Sequence, residues 1–281
     1  MISTIPLYEL IVVNKLPIKR VVVASSQAVN GEGLYICEDH GLVAPSSRPV
    51  EQLEKADWAM KCPECGKTVA WQWTPESFSH PENQYALSKE SQEKMTLSFG
   101  RKYNIPSVAM RYSIVQGPRQ SFYNAYSGAC RIFALHYFFK KAPTIYEDGL
   151  MHRDFVNYRD VVKANILALD DDRLSGQQFN VGGGKPYSVK EFDRIVAEIS
   201  DCSYLEPNIP GVFRFGDTRN SCSDISKLRS FGWEPRGSVN ESVQEYVDWL
   251  RSQTDVGEIF EYAEKNMRSL NVIRDTKRQL L

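Results

Sequence analysis

In this 281-residue sequence, a tyrosine and a lysine four residues apart have the residue types and spacing of a catalytic pair. Tyr85 and Lys89 lie in the segment ENQYALSKESQEK, which is rich in good helix formers, so both side chains are expected on one helix face. A positive charge beside a phenol favours the deprotonated form, which acts as a general base. The pair therefore predicts proton abstraction, although the same spacing is also common on helix surfaces.

Two other pairs have the spacing of metal ligands. Cys37 and His40 form Cys-x-x-His, and Cys62 and Cys65 form Cys-x-x-Cys. Three thiolates and one imidazole suit a tetrahedral structural zinc site, which would explain how residues 34–76 fold without a sustained apolar periodicity. The alternative is that the first pair consists of unrelated loop residues and that the second pair is simply reduced.

The elements around these residues predict an α/β fold. Two apolar runs, VVVASS and SVAMRY, have the continuous β-branched character of buried parallel strands, and a helical pattern from Gln84 to about Tyr103 separates them. This order predicts a doubly wound parallel sheet, interrupted by a Cys-rich, zinc-ribbon-like insertion at residues 34–76. Residues from Glu258 onward predict a terminal helix with a basic tail.

Composition excludes several classes of partner. Lys plus Arg number 34 against 35 for Asp plus Glu, so no overall basic field is present to bind nucleic acid. No uncharged apolar run has the length of a membrane span, and the N-terminus lacks the pattern of a signal peptide. The sequence therefore predicts a cytoplasmic protein without a nucleic-acid or membrane partner, whose six cysteines are reduced thiols or metal ligands.

Six blocks in order resemble the extended short-chain dehydrogenase/reductases that act on nucleotide-diphosphate sugars. They cover most of residues 18–250 and read VVVASSQAV-G, YALSK, RYSIVQGPRQ, YEDG--HRDFV-YRDVV, FNVGGG and RFGDTRNSCSDISKLRSFGW-P. The resemblance implies a partial Rossmann-type domain in residues 1–112 and a smaller C-terminal substrate domain, mainly residues 113–281. Segments around residues 155–182 are expected to return to the core sheet.

The resemblance also assigns roles to the reactive residues. It implies that Tyr85 is the catalytic base, that Lys89 holds the nicotinamide ribose of NAD, and that Ser26 binds the 4-hydroxyl of the sugar. Ser25, beside it at the strand end, is a further expected cofactor contact.

Arginines are expected to bind the diphosphate of the substrate, because a forked guanidinium suits phosphate. The family pattern implies Arg153 and Arg214 for this role, with Arg219 nearby. Tyr146 and Asn124 are weaker candidates for contacts with the nucleotide sugar.

The reaction type follows from two residues after the strand-end serine. Family members that remove water from the sugar have an Asp-Glu pair there, whereas this chain has Gln27 and Ala28, which do not exchange protons near neutral pH. The expected reaction is therefore NAD-dependent 4-epimerisation of a UDP- or TDP-hexose through a 4-keto sugar. Uronate decarboxylation and ketone reduction stay open.

One family motif is missing from these 281 residues, namely the Gly-x-x-Gly-x-x-Gly loop that binds the dinucleotide. The GEG at residues 31–33 and the GGGKP at residues 182–186 lack the further glycines and are predicted to be turns. The chain is therefore expected to be an N-terminally truncated member with an incomplete NAD site and an exposed apolar sheet edge. The alternative is a non-enzymatic relative that binds a nucleotide sugar or a partner protein, and the resemblance also implies a homodimer formed through the helix that bears Tyr85.

Overall fold

The computed structural model describes residues 4–121, 128–258 and 260–277. The α-helices of this part are α1 (Thr4–Val13), α2 (Val50–Glu54), α3 (Gln84–Tyr103), α4 (Ala129–Phe138), α5 (Tyr158–Asp170), α6 (Val189–Ile199), α7 (Ser226–Arg229), α8 (Val239–Arg251) and α9 (Phe260–Ser269). Two short 3-10 helices occupy Gln27–Asn30 and Asp172–Leu174.

The strands alternate with these helices along most of the chain. They are β1 (Val21–Ser26), β2 (Leu34–Cys37), β3 (Gly41–Val43), β4 (Ala70–Gln72), β5 (Ser107–Tyr112), β6 (Ile114–Gln116), β7 (His152–Asn157), β8 (Gln178–Val181), β9 (Pro186–Ser188), β10 (Phe213–Arg214), β11 (Asn220–Ser221) and β12 (Ile273–Arg274).

A three-stranded parallel sheet, in the order β1-β5-β8, forms the centre of the first layer. Side chains alternate between its two faces, so that Val108 and Met110 pack with α5 while Ala109 packs with Leu97 of α3. Helices therefore cover both faces, and the predicted α/β fold with a parallel sheet is confirmed. The division into two domains stays a prediction.

A second sheet supports the C-terminal half of the chain. Parallel strands β11, β7 and β6 form it, and β9 adds an antiparallel partner to β7. Its apolar side packs against α4, α6 and α8, where Phe155 stacks on Phe192 with ring centroids 4.0 Å apart. Ser188 and Ser238 begin α6 and α8 with complete capping boxes, which fixes where both helices start.

The insertion folds into a small antiparallel sheet in the order β3-β2-β4. Leu34 at its start pairs with Gln72 at its end, so the chain enters and leaves the insertion at neighbouring positions. The buried hydrophobic residues inside it are few: Tyr35, Cys37, Met60, Cys62 and Val69 form one cluster, and Leu53 is buried outside it.

The predicted terminal helix is shorter than the sequence pattern indicates. Helix α9 ends at Ser269, because Asn271 adopts a left-handed backbone conformation and the amide of Val272 donates to the carbonyl of Met267. This is a Schellman-type ending with asparagine in the place where glycine is usual. The chain then turns back, and β12 pairs with β10.

Apolar side chains remain exposed on helices α1 and α5. Within the described part of the chain, β1 pairs with β5 alone. Leu7, Leu10 and Val13 of α1 are exposed, as are Val162 and Ile166 of α5. None of the helices in the described residues is long and apolar enough to cross a bilayer.

Candidate functional site

The end of β1 and the first turns of α3 form the predicted reaction centre. Helix α3 begins where the side chain of Asn83 accepts a hydrogen bond from the amide of Ala86, 2.9 Å away. Helix α3 packs against β1, and the Lys89 ammonium donates to the carbonyl oxygen of Ala24 at 2.8 Å. Lys89 is thus anchored two residues before the end of β1 at Ser26.

Tyr85 projects into solvent from the same helix. Its side chain is 56% exposed, and the Lys89 ammonium lies 5.8 Å from the centroid of its ring. The structure therefore brings the predicted Tyr-Lys pair together on one helix face, beside the carboxyl end of the parallel sheet. This is an arrangement in which the phenol is accessible to a substrate.

The two strand-end serines differ in their surroundings. Ser26 Oγ accepts a hydrogen bond from the amide of Ala28 at 3.2 Å and so begins the first 3-10 helix. Ser25 Oγ is buried and makes no hydrogen bond within the part of the chain that the structure describes. Because buried hydroxyls normally have partners, Ser25 presents an unused donor and acceptor beside the anchor of Lys89. This fits its predicted role as a cofactor contact.

A buried ion pair holds α3 against the sheet. Arg111 of β5 donates from Nε and Nη2 to the two carboxylate oxygens of Glu93, each at 2.9 Å. Its remaining nitrogen donates to the carbonyls of Glu76 and Phe78, at 3.2 and 2.9 Å, and to the side-chain oxygen of Asn30 at 3.4 Å. One guanidinium thereby joins the sheet, the helix of the reaction centre and the last residues of the insertion.

Two of the arginines that were predicted to bind phosphate, Arg153 and Arg219, make hydrogen bonds and ion pairs within the protein. Arg153 donates to the backbone carbonyls of Thr218 and Arg219, at 2.9 and 3.1 Å. Arg219 forms ion pairs with Glu147 and Asp148 at 2.8 and 2.7 Å. Both arginines therefore organise the segment at residues 217–220 in this structure.

The remaining predicted substrate contacts are partly brought together. Burial raises the pKa of Tyr146, and the positive charge of nearby Arg214 acts against this increase. The two segments lie side by side, since the amide of Glu147 donates to the carbonyl of Val212 at 2.8 Å. Asn124 lies outside the described residues.

Glu32 is a buried acid that the sequence motifs did not single out. Its carboxylate accepts from the amide of Arg219 at 2.8 Å, while its other oxygen has no hydrogen-bond partner in the described ranges. Burial raises its pKa to about 7, although the charges of Arg48 and Arg153 oppose the increase. The only sequence signal was its position between Gly31 and Gly33, directly after the first 3-10 helix.

Glu32→Gln should change the pH dependence of stability. A folded-state pKa above that of the unfolded chain means that the folded state binds the proton more tightly, so wild-type stability is gained as the pH falls. Between pH 8 and pH 6, the free energy of unfolding of the wild type should rise by about 1.3 kcal/mol relative to Glu32→Gln. Urea unfolding at several pH values measures this difference, and a constant difference over the range would contradict the prediction.

The four predicted metal ligands also lie together. The imidazole Nδ1 of His40 is 3.7 Å from the sulfur of Cys37 and 3.7 Å from that of Cys62, and Cys37 and Cys65 have their sulfurs 3.7 Å apart. All four ligand atoms lie within 4.8 Å of one another. The alternative in which the two pairs are unrelated therefore does not hold for the geometry of this site.

The triple glycine at residues 182–184 serves packing. A side chain at Gly182 would place its Cβ 2.0 Å from a carboxylate oxygen of Asp154, and one at Gly183 would place it 1.9 Å from the carbonyl oxygen of Phe155. The amide of Gly183 donates to Asp154 at 2.7 Å. These contacts explain the glycines without a bound phosphate.

Comparison with known proteins places these features in a family. Residues 68–182 match the model of the NAD dependent epimerase/dehydratase family. The chain is 30% identical over 255 residues to a dTDP-L-rhamnose 4-epimerase of Burkholderia thailandensis, covering 90% of this chain and 69% of that protein. It is 34% identical over 187 residues to a putative UDP-glucose 4-epimerase of Methanocaldococcus jannaschii, covering 64% of this chain and 58% of that protein.

Solved structures show the same relationship. The UDP-glucose 4-epimerase of Thermotoga maritima with UDP-glucose superposes with a TM-score of 0.68 at 27% identity, covering 89% of this chain and 69% of that chain. A UDP-N-acetylglucosamine 4-epimerase of Methanobrevibacter ruminantium, in complex with UDP-N-acetylmuramic acid, superposes with a TM-score of 0.69 at 27% identity. This match covers 90% of this chain and 69% of that chain. The chain thus spans roughly 58–69% of the length of these proteins.

Proposed function

Because this chain belongs to the NAD dependent epimerase/dehydratase family, we propose that it is built for 4-epimerisation of a nucleotide-diphosphate sugar through a 4-keto sugar. The observation that carries this proposal is the joint placement of Tyr85, Lys89 and the end of β1. The relatives named above, which are 4-epimerases of dTDP- and UDP-sugars, support the same reaction class.

In this proposal, the chain's own residues handle the proton. Tyr85 Oη, exposed beside β1, removes the proton of the sugar 4-hydroxyl and returns it later. The Lys89 ammonium, held by the carbonyl of Ala24, places its positive charge 5.8 Å from the centroid of the Tyr85 ring. Ser26 Oγ positions the 4-hydroxyl at the end of the strand. Bound NAD supplies the reversible hydride acceptor that epimerisation requires.

Two residues support epimerisation over loss of water. Gln27 and Ala28 follow Ser26 in the first 3-10 helix and carry no group that exchanges protons near neutral pH. Elimination of water from a sugar needs a second acid and base beside the tyrosine. Without them at these positions, the 4-keto sugar is expected to be reduced again rather than dehydrated.

The residues present fit one part of the proposed cofactor. Ser25, with its unused buried hydroxyl, and the Tyr85-Lys89 pair suit the nicotinamide ribose. Gly182 and Gly183 are required by close packing against Asp154 and Phe155, and the Gly183 amide donates to Asp154. We therefore place the nicotinamide end of NAD at β1 and α3, and assign no residue to its other end.

The test has two parts, performed on the same purified chain. Nicotinamide released by denaturation is quantified against protein, and the chain is then incubated with NAD and each of several UDP- and dTDP-hexoses. Formation of a C4 epimer, detected by NMR of the sugar, is the expected result. Binding of a nucleotide sugar without turnover would instead support a non-enzymatic nucleotide-sugar-binding protein, and absence of both would contradict either function.

The homodimer formed through α3 stays a prediction. Leu87 of α3 is exposed, and so are Leu7 and Leu10 of α1, which packs against α3. Sedimentation equilibrium of the purified chain measures the oligomeric state directly, and a monomer at all concentrations would contradict the prediction.

A further inference from the structure

The two ligand pairs of the insertion occupy turns of the same design. Each follows the pattern Cys-x-x-(His or Cys)-Gly, with Gly41 after His40 and Gly66 after Cys65. Both glycines have positive φ angles, +67° and +72°, and a Cβ added at either position would have no neighbouring atom within 4 Å. The glycines are therefore required by the backbone turn itself rather than by crowding. Two separate turns therefore share one backbone conformation, and they bring their four ligand atoms within 4.8 Å of one another, which indicates a metal centre.

The distances between the ligand atoms match those of a tetrahedral zinc ion. Zinc bonds of about 2.3 Å to sulfur and 2.05 Å to nitrogen separate two sulfur ligands by about 3.8 Å, and sulfur from nitrogen by about 3.6 Å. Three of the six separations in this chain are 3.7 Å, and all six are within 4.8 Å. Three sulfur ligands and one nitrogen ligand favour zinc over magnesium or calcium, which prefer oxygen.

The insertion also has too little apolar core to fix its own shape. Two of its few buried hydrophobic residues are the ligands Cys37 and Cys62. Short segments with so small a core usually require a metal or disulfides, and all six cysteines of the chain are free. A bound ion would supply the missing cross-link between β2 and the turn at residues 62–66.

A buried network of ion pairs connects this insertion to Glu147, Asp148 and Arg219. Arg48 of the insertion donates from both terminal nitrogens to the carboxylate of Glu147, at 2.8 and 2.9 Å. The two side chains are only 2% and 1% exposed. The same carboxylate accepts from Arg219, which continues the network to Asp148.

Two further contacts run in parallel with this network. The side-chain amide of Asn220 donates to the hydroxyl of Tyr35 at 3.1 Å, and the rings of Trp71 and His152 lie 5.4 Å apart. The insertion thus touches the turn at residues 146–149 and the segment at residues 217–220. Both carry residues predicted to bind the nucleotide sugar.

We propose that Cys37, His40, Cys62 and Cys65 bind one Zn²⁺, and that this ion holds the insertion where Arg48 fixes Glu147 and, through it, Arg219. The ion is structural, because four protein ligands leave no open position for a substrate. The metal site stands on the ligand geometry alone. Its effect on nucleotide-sugar binding rests on the proposed function.

Metal content tests the site. The whole 281-residue chain, produced with zinc available, should contain about one Zn²⁺ per chain by mass spectrometry of the metals. Cys65→Ala and His40→Ala should lower this content about tenfold after dialysis against a chelator. His40→Cys, which makes four thiolates, should keep the ion, and Cys202→Ala, which alters a buried cysteine outside the cluster, should keep it too. Wild-type protein without zinc after reconstitution, or a zinc content that Cys65→Ala leaves unchanged, would overturn the site.

Hydrogen exchange tests the connection independently of activity. Removal of zinc from the wild-type protein should speed amide exchange in the insertion and also at residues 146–149 and 217–220. Exchange in α8, which makes none of these contacts, should stay the same. If only the insertion loses protection, the metal site stands and the proposed link to Arg219 is overturned. Because neither readout uses turnover, failure of the epimerase function would leave both results interpretable.

Discussion

Tyr85→Phe should lower the rate of 4-epimerisation by about 10²- to 10⁴-fold, the usual contribution of a positioned general base. Only the phenol oxygen is removed, so the ring, the Lys89 ammonium beside it and the anchor at Ala24 are retained. Since the side chain is more than half exposed, stability should change little. Initial rates and nucleotide-sugar binding, measured side by side, separate a loss of chemistry from a loss of affinity.

The same helix offers a matched control. Tyr103 is also exposed and lies at the other end of α3, away from β1's carboxyl end. Tyr103→Phe should leave both turnover and binding at wild-type values. Equal rates for the two variants would remove the catalytic assignment of Tyr85.

Glu93→Gln should destabilise the folded chain by about 3 kcal/mol, because it leaves the buried guanidinium of Arg111 without its counter-charge. The pair is almost completely buried, and both of its hydrogen bonds are 2.9 Å long. The remaining partners of Arg111 are neutral oxygens, which cannot balance its charge. The free energy of unfolding from urea titrations measures the effect.

An exposed glutamate on a neighbouring helix provides the reference for this change. Glu9 of α1 is exposed, so Glu9→Gln should alter stability by less than about 0.5 kcal/mol. If Glu93→Gln changed the free energy of unfolding as little as Glu9→Gln, the Glu93–Arg111 pair would contribute no more to stability than a surface contact. Glu93→Gln should also reduce turnover, because Arg111 links α3 with the residues next to the reaction centre.

Local patterns predicted the parts of the fold that local interactions determine. Helix α3 has the predicted bounds. The capping boxes at Ser188 and Ser238, which begin α6 and α8, are equally local. In each case the decisive contacts lie within a few residues, where capping and helix propensity act. The metal ligands were predicted for a similar reason, since each pair is set by one tight turn.

Contacts between distant segments could not be read from the sequence in this way. Arg219 pairs with Asp148, 71 residues away, and Glu32 is buried against the amide of Arg219, 187 residues away. A pattern of residue types identifies an arginine suited to phosphate, but it does not show which carboxylates the fold places beside it. The early end of α9 was missed because it depends on the left-handed backbone of a single asparagine, Asn271.

The pairing of Leu34 with Gln72 has a consequence for how this chain could have arisen. A segment whose two ends are adjacent can be gained, lost or exchanged by recombination without moving the strand before it or the helix after it. Arg48 ties the segment to the rest of the chain, because removal of the segment would also remove the pairing of Arg48 with Glu147. A relative without the insertion would keep only Arg219 as the cationic partner of the buried Glu147 carboxylate.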